Sequence, residues 1–165
     1  MRQVVSDTGP LLHLGEAQVL LLLEQSGNVF IPKAVDLELS RYQAAWLSER
    51  PSWIRVEGLV SPYDGEAAQW QQAEWLHKGE AEAVALARQM DADWLLTDDA
   101  AARLFAQSLG LEVHGSLGIV LWATAQGHLQ RAEAESALDR LAQSSLWIST
   151  RVLADAKAAL QRLTE

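Results

Sequence analysis

Trp94-Leu95-Leu96-Thr97-Asp98-Asp99-Ala100 is the stretch whose reading decides the fold of this chain. Its apolar residues form a short strand with no polar face, the pattern of a central strand in a parallel sheet. Two aspartates end the strand, and the following run Ala100–Leu109 reads as a helix. The start of the chain repeats this order. Gln3–Ser6 is a short apolar strand, Asp7 closes it, and Thr8-Gly9-Pro10 turns into a helix with Pro10 suited to its first turn. Ligands of open parallel sheets bind just outside the carboxyl ends of the strands. Asp7, Asp98 and Asp99 all fall at such ends.

Outward from these two stretches, strands and helices alternate. Apolar residues at Leu11, Leu12, Leu14, Val19, Leu20 and Leu23 predict one helix ending near Gly27. Val29-Phe30-Ile31 predicts a second strand, and Pro32 starts a helix carrying Val35, Leu37, Glu38 and Leu39. Ser52–Glu57 reads as a strand through Trp53, Ile54 and Val56, and Ser61-Pro62-Tyr63-Asp64-Gly65 carries turn chemistry. Glu66–Leu76 and Glu80–Met90 are two helices broken at Lys78-Gly79, and Leu111–His114 is a further strand. Ser116 reads as the cap of a helix over Leu117–Gln126. Glu133–Ala142 and Ile148–Leu163 form terminal helices separated by Ser144-Ser145. Alternation of this kind implies a parallel sheet covered on both faces by right-handed crossovers. The expected architecture is a three-layer α/β/α single domain over residues 1–165, with a core at about 1–128 and a helical extension at about 129–165.

Composition excludes several classes of function. The chain has 165 residues and no cysteine, so disulfides, thiolate zinc sites and cysteine nucleophiles are absent. The apolar stretch Val19–Leu23 is far short of the roughly 20 residues that cross a bilayer. No basic segment leads into an apolar one at the start, so a cytoplasmic location is expected. A net charge of −9 argues against a protein that coats nucleic acid by neutralising phosphate. It leaves a nuclease open, because a bound divalent cation supplies positive charge where the phosphate sits. No GxGxxG or Walker pattern is present. The acidic residues at the strand ends suggest a divalent-metal site, which Glu38 and Glu80 on their predicted helices would complete.

Five short motifs in order resemble a known family. Ser6-Asp7-Thr8-Gly9-Pro10 is similar to the opening motif of PIN domains, and Ile31-Pro32 followed by Glu38 is similar to their second. Gly79-Glu80-Ala81-Glu82-Ala83 and Leu95-Leu96-Thr97-Asp98-Asp99 resemble the third and fourth. Gly115-Ser116-Leu117-Gly118 and Trp147-Ile148-Ser149 are like the tail of one bacterial and archaeal branch. The resemblance spans nearly the whole chain. It implies metal-dependent ribonuclease chemistry of the kind seen in VapC toxins, with Asp7, Glu38, Glu80 and Asp99 as the acidic quartet and Asp98 beside it. Glu82 is a second choice for the Glu80 position. The chain departs from the family after the fourth motif, where Ala100-Ala101-Ala102 stands in place of charged residues and Arg103 is the first charge.

Mg²⁺ and Mn²⁺ prefer oxygen ligands, and Mg²⁺ is usually held by one or two carboxylates with waters and substrate phosphate. In this reading Asp7 and Asp99 bind metal directly. Glu38 and Glu80 hold metal-bound waters or a second ion, and Ser6, Thr8 and Thr97 support the carboxylates by hydrogen bonds. One or two ions both fit. Plainer roles compete: Asp7, Asp98 and Asp99 could cap helices, and Glu38 and Glu80 could be solvated helix residues. His13 reads as helix surface or partial core. Most of the seven tryptophans read as core or interface, with Trp70 and Trp75 as candidates for a dimer or partner surface. Arg41, Lys33, Lys78 and Arg103 lie near the motifs and read first as surface charge.

The expected function is a Mg²⁺- or Mn²⁺-dependent ribonuclease, the toxin of a toxin–antitoxin pair, with RNA as substrate, an antitoxin as partner and a homodimer as its assembly. The alternative is a non-catalytic PIN-like protein that binds a partner or nucleic acid. A phosphoryl-transfer enzyme with Asp7 as nucleophile ranks last, because Gly9 stands where such chemistry commonly needs a second Asp.

Overall fold

The five predicted strands form a single, entirely parallel sheet in the computed structural model, which describes residues 1–165. They are β1 (Gln3–Ser6), β2 (Asn28–Pro32), β3 (Ile54–Glu57), β4 (Trp94–Leu96) and β5 (Val113–His114). Their order across the sheet is β3-β2-β1-β4-β5. The register sets Val5 beside Phe30 on one side and Leu95 on the other. Because β1 is central and β4 lies on the side away from β2, the direction of winding reverses between β1 and β4. That reversal opens the crevice in which such sheets bind ligands.

Neighbouring residues of a strand point to opposite faces, so the sheet divides the apolar residues into two cores. Val4, Val29, Ile31 and Leu96 belong to a cluster of 23 buried residues. Helices α1 (Thr8–Glu16), α2 (Leu21–Ser26), α3 (Lys33–Tyr42), α8 (Ser116–Ala125), α9 (Arg131–Ala142) and α10 (Thr150–Leu163) complete it through Leu14, Leu23, Leu39, Ile119, Leu138 and Leu160. Val5, Phe30 and Leu95 face the other way into a cluster of 15 with α5 (Tyr63–Gln72), α6 (Lys78–Gln89) and α7 (Ala100–Ser108). The result is the three-layer α/β/α arrangement. Both terminal helices insert into the larger core, since Leu138, Leu141 and Leu160 are fully buried.

The structure departs from the sequence reading at element ends. The single helix expected from Leu11 to Gly27 is two, divided at Gln18, whose φ is +63°. Val19 N–H donates to Leu14 C=O and Gln18 N–H to Gly15 C=O, the paired bonds of a Schellman helix end. Glu74 and Asp91 end α5 and α6 with the same pair of bonds at φ of +61° and +50°. A short helix α4 (Trp46–Glu49) was not anticipated, and it buries Trp46 with its indole N–H donating to Asp36 at 2.7 Å. Ile148 and Ser149 precede the last helix instead of opening it, Ser149 being its N-cap. Trp70 is buried, 5.0 Å edge-on from Phe105, and only Trp75 of that pair is exposed.

Because Leu160 packs into the same core as the sheet, Leu160→Ala should cost about 2–5 kcal/mol. Urea unfolding followed by far-ultraviolet dichroism and by tryptophan fluorescence should give one coincident transition. A separate early loss of helix alone would show that α10 folds independently.

Candidate metal centre

Five acidic residues from four separate stretches of chain line one cavity of about 670 Å³ at the carboxyl ends of β1 and β4. They are Asp7, Glu38, Glu80, Asp98 and Asp99, without Glu82. Parallel pairing brings the first and the last two together: Asp7 N–H donates to Leu96 C=O at 2.8 Å, which extends the β1–β4 ladder by one bond. The carboxylates of β1 and β4 therefore leave the sheet side by side.

Each side chain is fixed by a donor. Asp7 is buried, accepting the Thr8 N–H on Oδ1 at 2.8 Å and the Thr97 hydroxyl on Oδ2 at 3.0 Å. Glu38 accepts the Thr8 hydroxyl on Oε2 at 2.5 Å. Glu80 sits at N3 of α6 and accepts the His77 N–H on Oε1 at 2.8 Å, and Asp99 caps α7 by accepting the Ala102 N–H on Oδ1 at 2.8 Å. Capping and site geometry are thus compatible, because one carboxylate oxygen serves each. Apart from a proton shared between Glu80 and Asp99, no donor reaches Glu38 Oε1, Glu80 Oε2 or Asp99 Oδ2. Glycine 79 makes room for this: a Cβ there would lie 2.5 Å from Glu38 Oε1.

Crowding these acids perturbs them. Burial pushes the Asp7 carboxyl up from 3.8 to about 7, against the pull of the Thr8 and Thr97 hydrogen bonds. The charges of Glu80 and Glu38 add to the rise. Burial also raises Glu80, against the His77 N–H, and Asp99 raises it further by its charge and by sharing the Glu80 proton. A proton or a cation must offset this repulsion. No three of the acidic or imidazole groups come close enough to enclose an ion by themselves. The donor set is nonetheless all oxygen, with free oxygens on three carboxylates. It suits a hard divalent ion held by one or two side chains and completed by water and phosphate.

Asp98 behaves differently from the other four. Its Oδ1 accepts the Ser116 N–H at 2.6 Å, and its Oδ2 takes the Ser116 hydroxyl at 2.6 Å and His13 Nδ1 at 2.7 Å. Ser116 is therefore not the cap of α8 but its first residue, with Gly115 as cap and its own hydroxyl spent on Asp98. His13 lines the cavity through this contact, a role invisible in the sequence because its partner lies 85 residues away. Glu82, the second choice for the Glu80 position, accepts the Ala34 N–H at 3.2 Å and lines a different cleft with Lys33 and Lys78. Of the four basic residues noted in the sequence, only Arg41 lines the acidic cavity.

The fold is that of a PIN domain. The chain belongs to the DUF3368 family of PIN domains, whose family model matches residues 3–163. PIN domains are in general nucleases, and they typically bind divalent metals. No curated protein and no solved structure matches the chain. No helix is long and apolar enough to cross a membrane.

A stability profile follows from Asp7. Its folded-state value near 7 exceeds the ordinary 3.8, so between those limits the folded protein binds more protons than the unfolded chain. Stability without metal should then fall as pH rises from about 4 to about 7, by up to about 1.4 kcal/mol per pH unit. Asp7→Asn should remove this component, making the variant the more stable protein at pH 8 in chelator, with the gap closing toward pH 4. Thermal unfolding across that range measures it, and identical profiles for the two proteins would contradict the burial of a strained charge. A second expectation concerns Gly79. Gly79→Ala would displace the whole Glu38 carboxylate, including the Oε2 that accepts the Thr8 hydroxyl, and should weaken Mn²⁺ binding in calorimetry.

Proposed function

We propose that this protein is a Mg²⁺- or Mn²⁺-dependent endoribonuclease that hydrolyses RNA phosphodiester bonds. The observation that carries the reading is the set of Asp7, Glu38, Glu80 and Asp99 around one cavity at the winding reversal of the sheet, three of them with an oxygen free of donors apart from the proton that Glu80 and Asp99 share. Asp7 and Asp99 are the residues that would hold the ion, and Glu38 and Glu80 those that would orient the attacking water. A bound ion would supply positive charge at the scissile phosphate and a more acidic water. Thr97 and Thr8 fix the carboxylates in place, and Arg41 is available to the phosphate backbone. On a chain of −9, such a site needs the ion to receive a polyanion at all.

The biological role we infer is that of the toxin in a toxin–antitoxin pair, acting in the cytoplasm as a homodimer. A basic or aromatic antitoxin segment would enter the acidic cavity and offset its charge in place of the ion. The raised proton affinity of Asp7 and Glu80 supports this, because any cationic group placed there relieves a standing repulsion.

Incubation of short RNAs with the protein and Mn²⁺ or Mg²⁺ tests the activity. Cleavage should be abolished by chelator, by Asp7→Asn and by Asp99→Asn. Thr97→Val should lower it about 10- to 100-fold, the usual effect of removing a group that orients a metal-binding side chain. Cleavage that persists in Asp7→Asn would assign the activity elsewhere. Its absence from the parent protein with every RNA and both metals would leave the non-catalytic PIN-like binder.

A further inference from the structure

Trp147 is the most exposed aromatic side chain of the protein, 84% accessible, yet the loop that carries it is braced. That loop, residues 143–149, joins α9 to α10. Glu16 at the end of α1 accepts the Ser145 N–H at 3.0 Å and the Ser145 hydroxyl at 2.5 Å. Ser144 Oγ accepts the Leu146 N–H at 3.1 Å, and Ser149 Oγ accepts the Val152 N–H at 3.1 Å. Ile148, next in sequence, packs against the larger core. The indole is therefore held out in water by a loop fixed on both sides. Isolated exposed apolar residues are common and need no explanation. Trp147 is set apart by where it stands.

Trp147 lines the acidic cavity and also a second cleft of about 370 Å³, and the two share Asp98, Leu146 and Trp147. The second cleft contains Arg103, the first charged residue after the fourth acidic motif. Arg103 is half-buried beside Asp98 at Gly115 but forms no salt bridge with it, on a chain with nine more acidic than basic residues. The polypeptide thus presents, in continuous succession, an acidic cavity, a flat aromatic ring and an unpaired guanidinium. A nucleic-acid strand alternates phosphate, base and phosphate. Bases stack on aromatic side chains whatever their identity, and a guanidinium binds phosphate through paired hydrogen bonds.

We propose that Trp147 is a base-stacking platform joining the two clefts, and that the strand held in the acidic cavity continues across it to Arg103, which contacts a phosphate beyond the scissile one. The proposal rests on the ribonuclease reading for what occupies the acidic cavity. A single-stranded segment fits, because a base inside a duplex cannot leave its stack without cost. The platform also gives Ala100-Ala101-Ala102 a consequence: with no charge in the first turn of α7, Arg103 is the side chain that sets the electrostatics beyond the motif.

Fluorescence anisotropy of a short 5′-labelled single-stranded RNA tests this in an Asp7→Asn background, where the strand stays intact. Trp147→Ala should weaken binding roughly 5- to 100-fold, the loss of one base–aromatic stack, and Trp147→Phe should restore most of it. Arg103→Ala should lower the slope of log affinity against log salt by about 0.7, the value of one phosphate contact on a single strand. The same RNA annealed to its complement should show neither effect. Equal affinity of the Asp7→Asn protein with and without Trp147→Ala overturns the proposal, as does equal sensitivity of duplex and single strand. The two readings fail separately. A Trp147-dependent affinity with no cleavage by the parent protein in Mn²⁺ upholds the platform and removes the nuclease. Cleavage by the parent that Trp147→Ala neither slows nor redirects upholds the nuclease and removes the platform.

Discussion

Asp7 is pressed into the end of the β1–β4 ladder, where the sheet gives it hydrogen bonds from Thr8 and Thr97 but little water, and the rest of the site is arranged around that burial. Two donors reduce the cost of the charge without cancelling it, so the carboxyl remains well above its ordinary range. A buried acid with two acids nearby is a poor way to stabilise a fold. It is a good way to hold a standing demand for positive charge at one place. The parallel sheet makes that demand structural, because Leu96 C=O fixes the Asp7 backbone while β4 delivers Thr97 and Asp99 beside it. Moving Asp7 would break the last bond of the β1–β4 ladder.

Close approach of backbone and side chains keeps the other acids in range. Glu38 reaches the cavity over the bare backbone of Gly79 on α6, and Asp98 lies against the bare backbone of Gly115 at the start of α8. In both places a Cβ would fall within 2.8 Å of a carboxylate oxygen. Asp98 in turn orients His13 and secures the N-terminus of α8 through Ser116. The same few residues thus join α1, α3, α6, α7 and α8 at the cavity, and the two terminal helices add the braced loop at its rim. Function here depends on packing at long sequence separation more than on any local motif.

That distinction decides what the sequence made readable. The strand–Asp–helix order around Asp7 and Asp98-Asp99 carries its own meaning, since apolar runs and helix starts are local signals. It located the sheet, the crevice and the three aspartates at the strand ends, while Glu38 and Glu80 came from predicted helices and the resemblance. Glu80 over Glu82 followed from the resemblance alone, and helix geometry explains it: residues two apart face different ways, and Glu82 turns to the N-terminus of α3. The misses were tertiary. Gln18, Glu74 and Asp91 adopt a left-handed conformation that glycine usually takes, so the helix ends they make leave no mark in composition. Trp70 and Trp75 sit in one polar stretch and both approach Phe105, yet only Trp70 joins the smaller core, built from residues distant in the chain. His13 and Ser116 looked ordinary because their shared partner, Asp98, is distant from both in the chain.

The direct test of this account is the titration of the Asp7 carboxyl carbon by nuclear magnetic resonance, with and without Mg²⁺. A midpoint near 7 in chelator that falls sharply when Mg²⁺ is added is the predicted result, since the ion and the proton compete for one strained carboxylate. A midpoint near the ordinary 3.8 in chelator, unmoved by Mg²⁺, would contradict it.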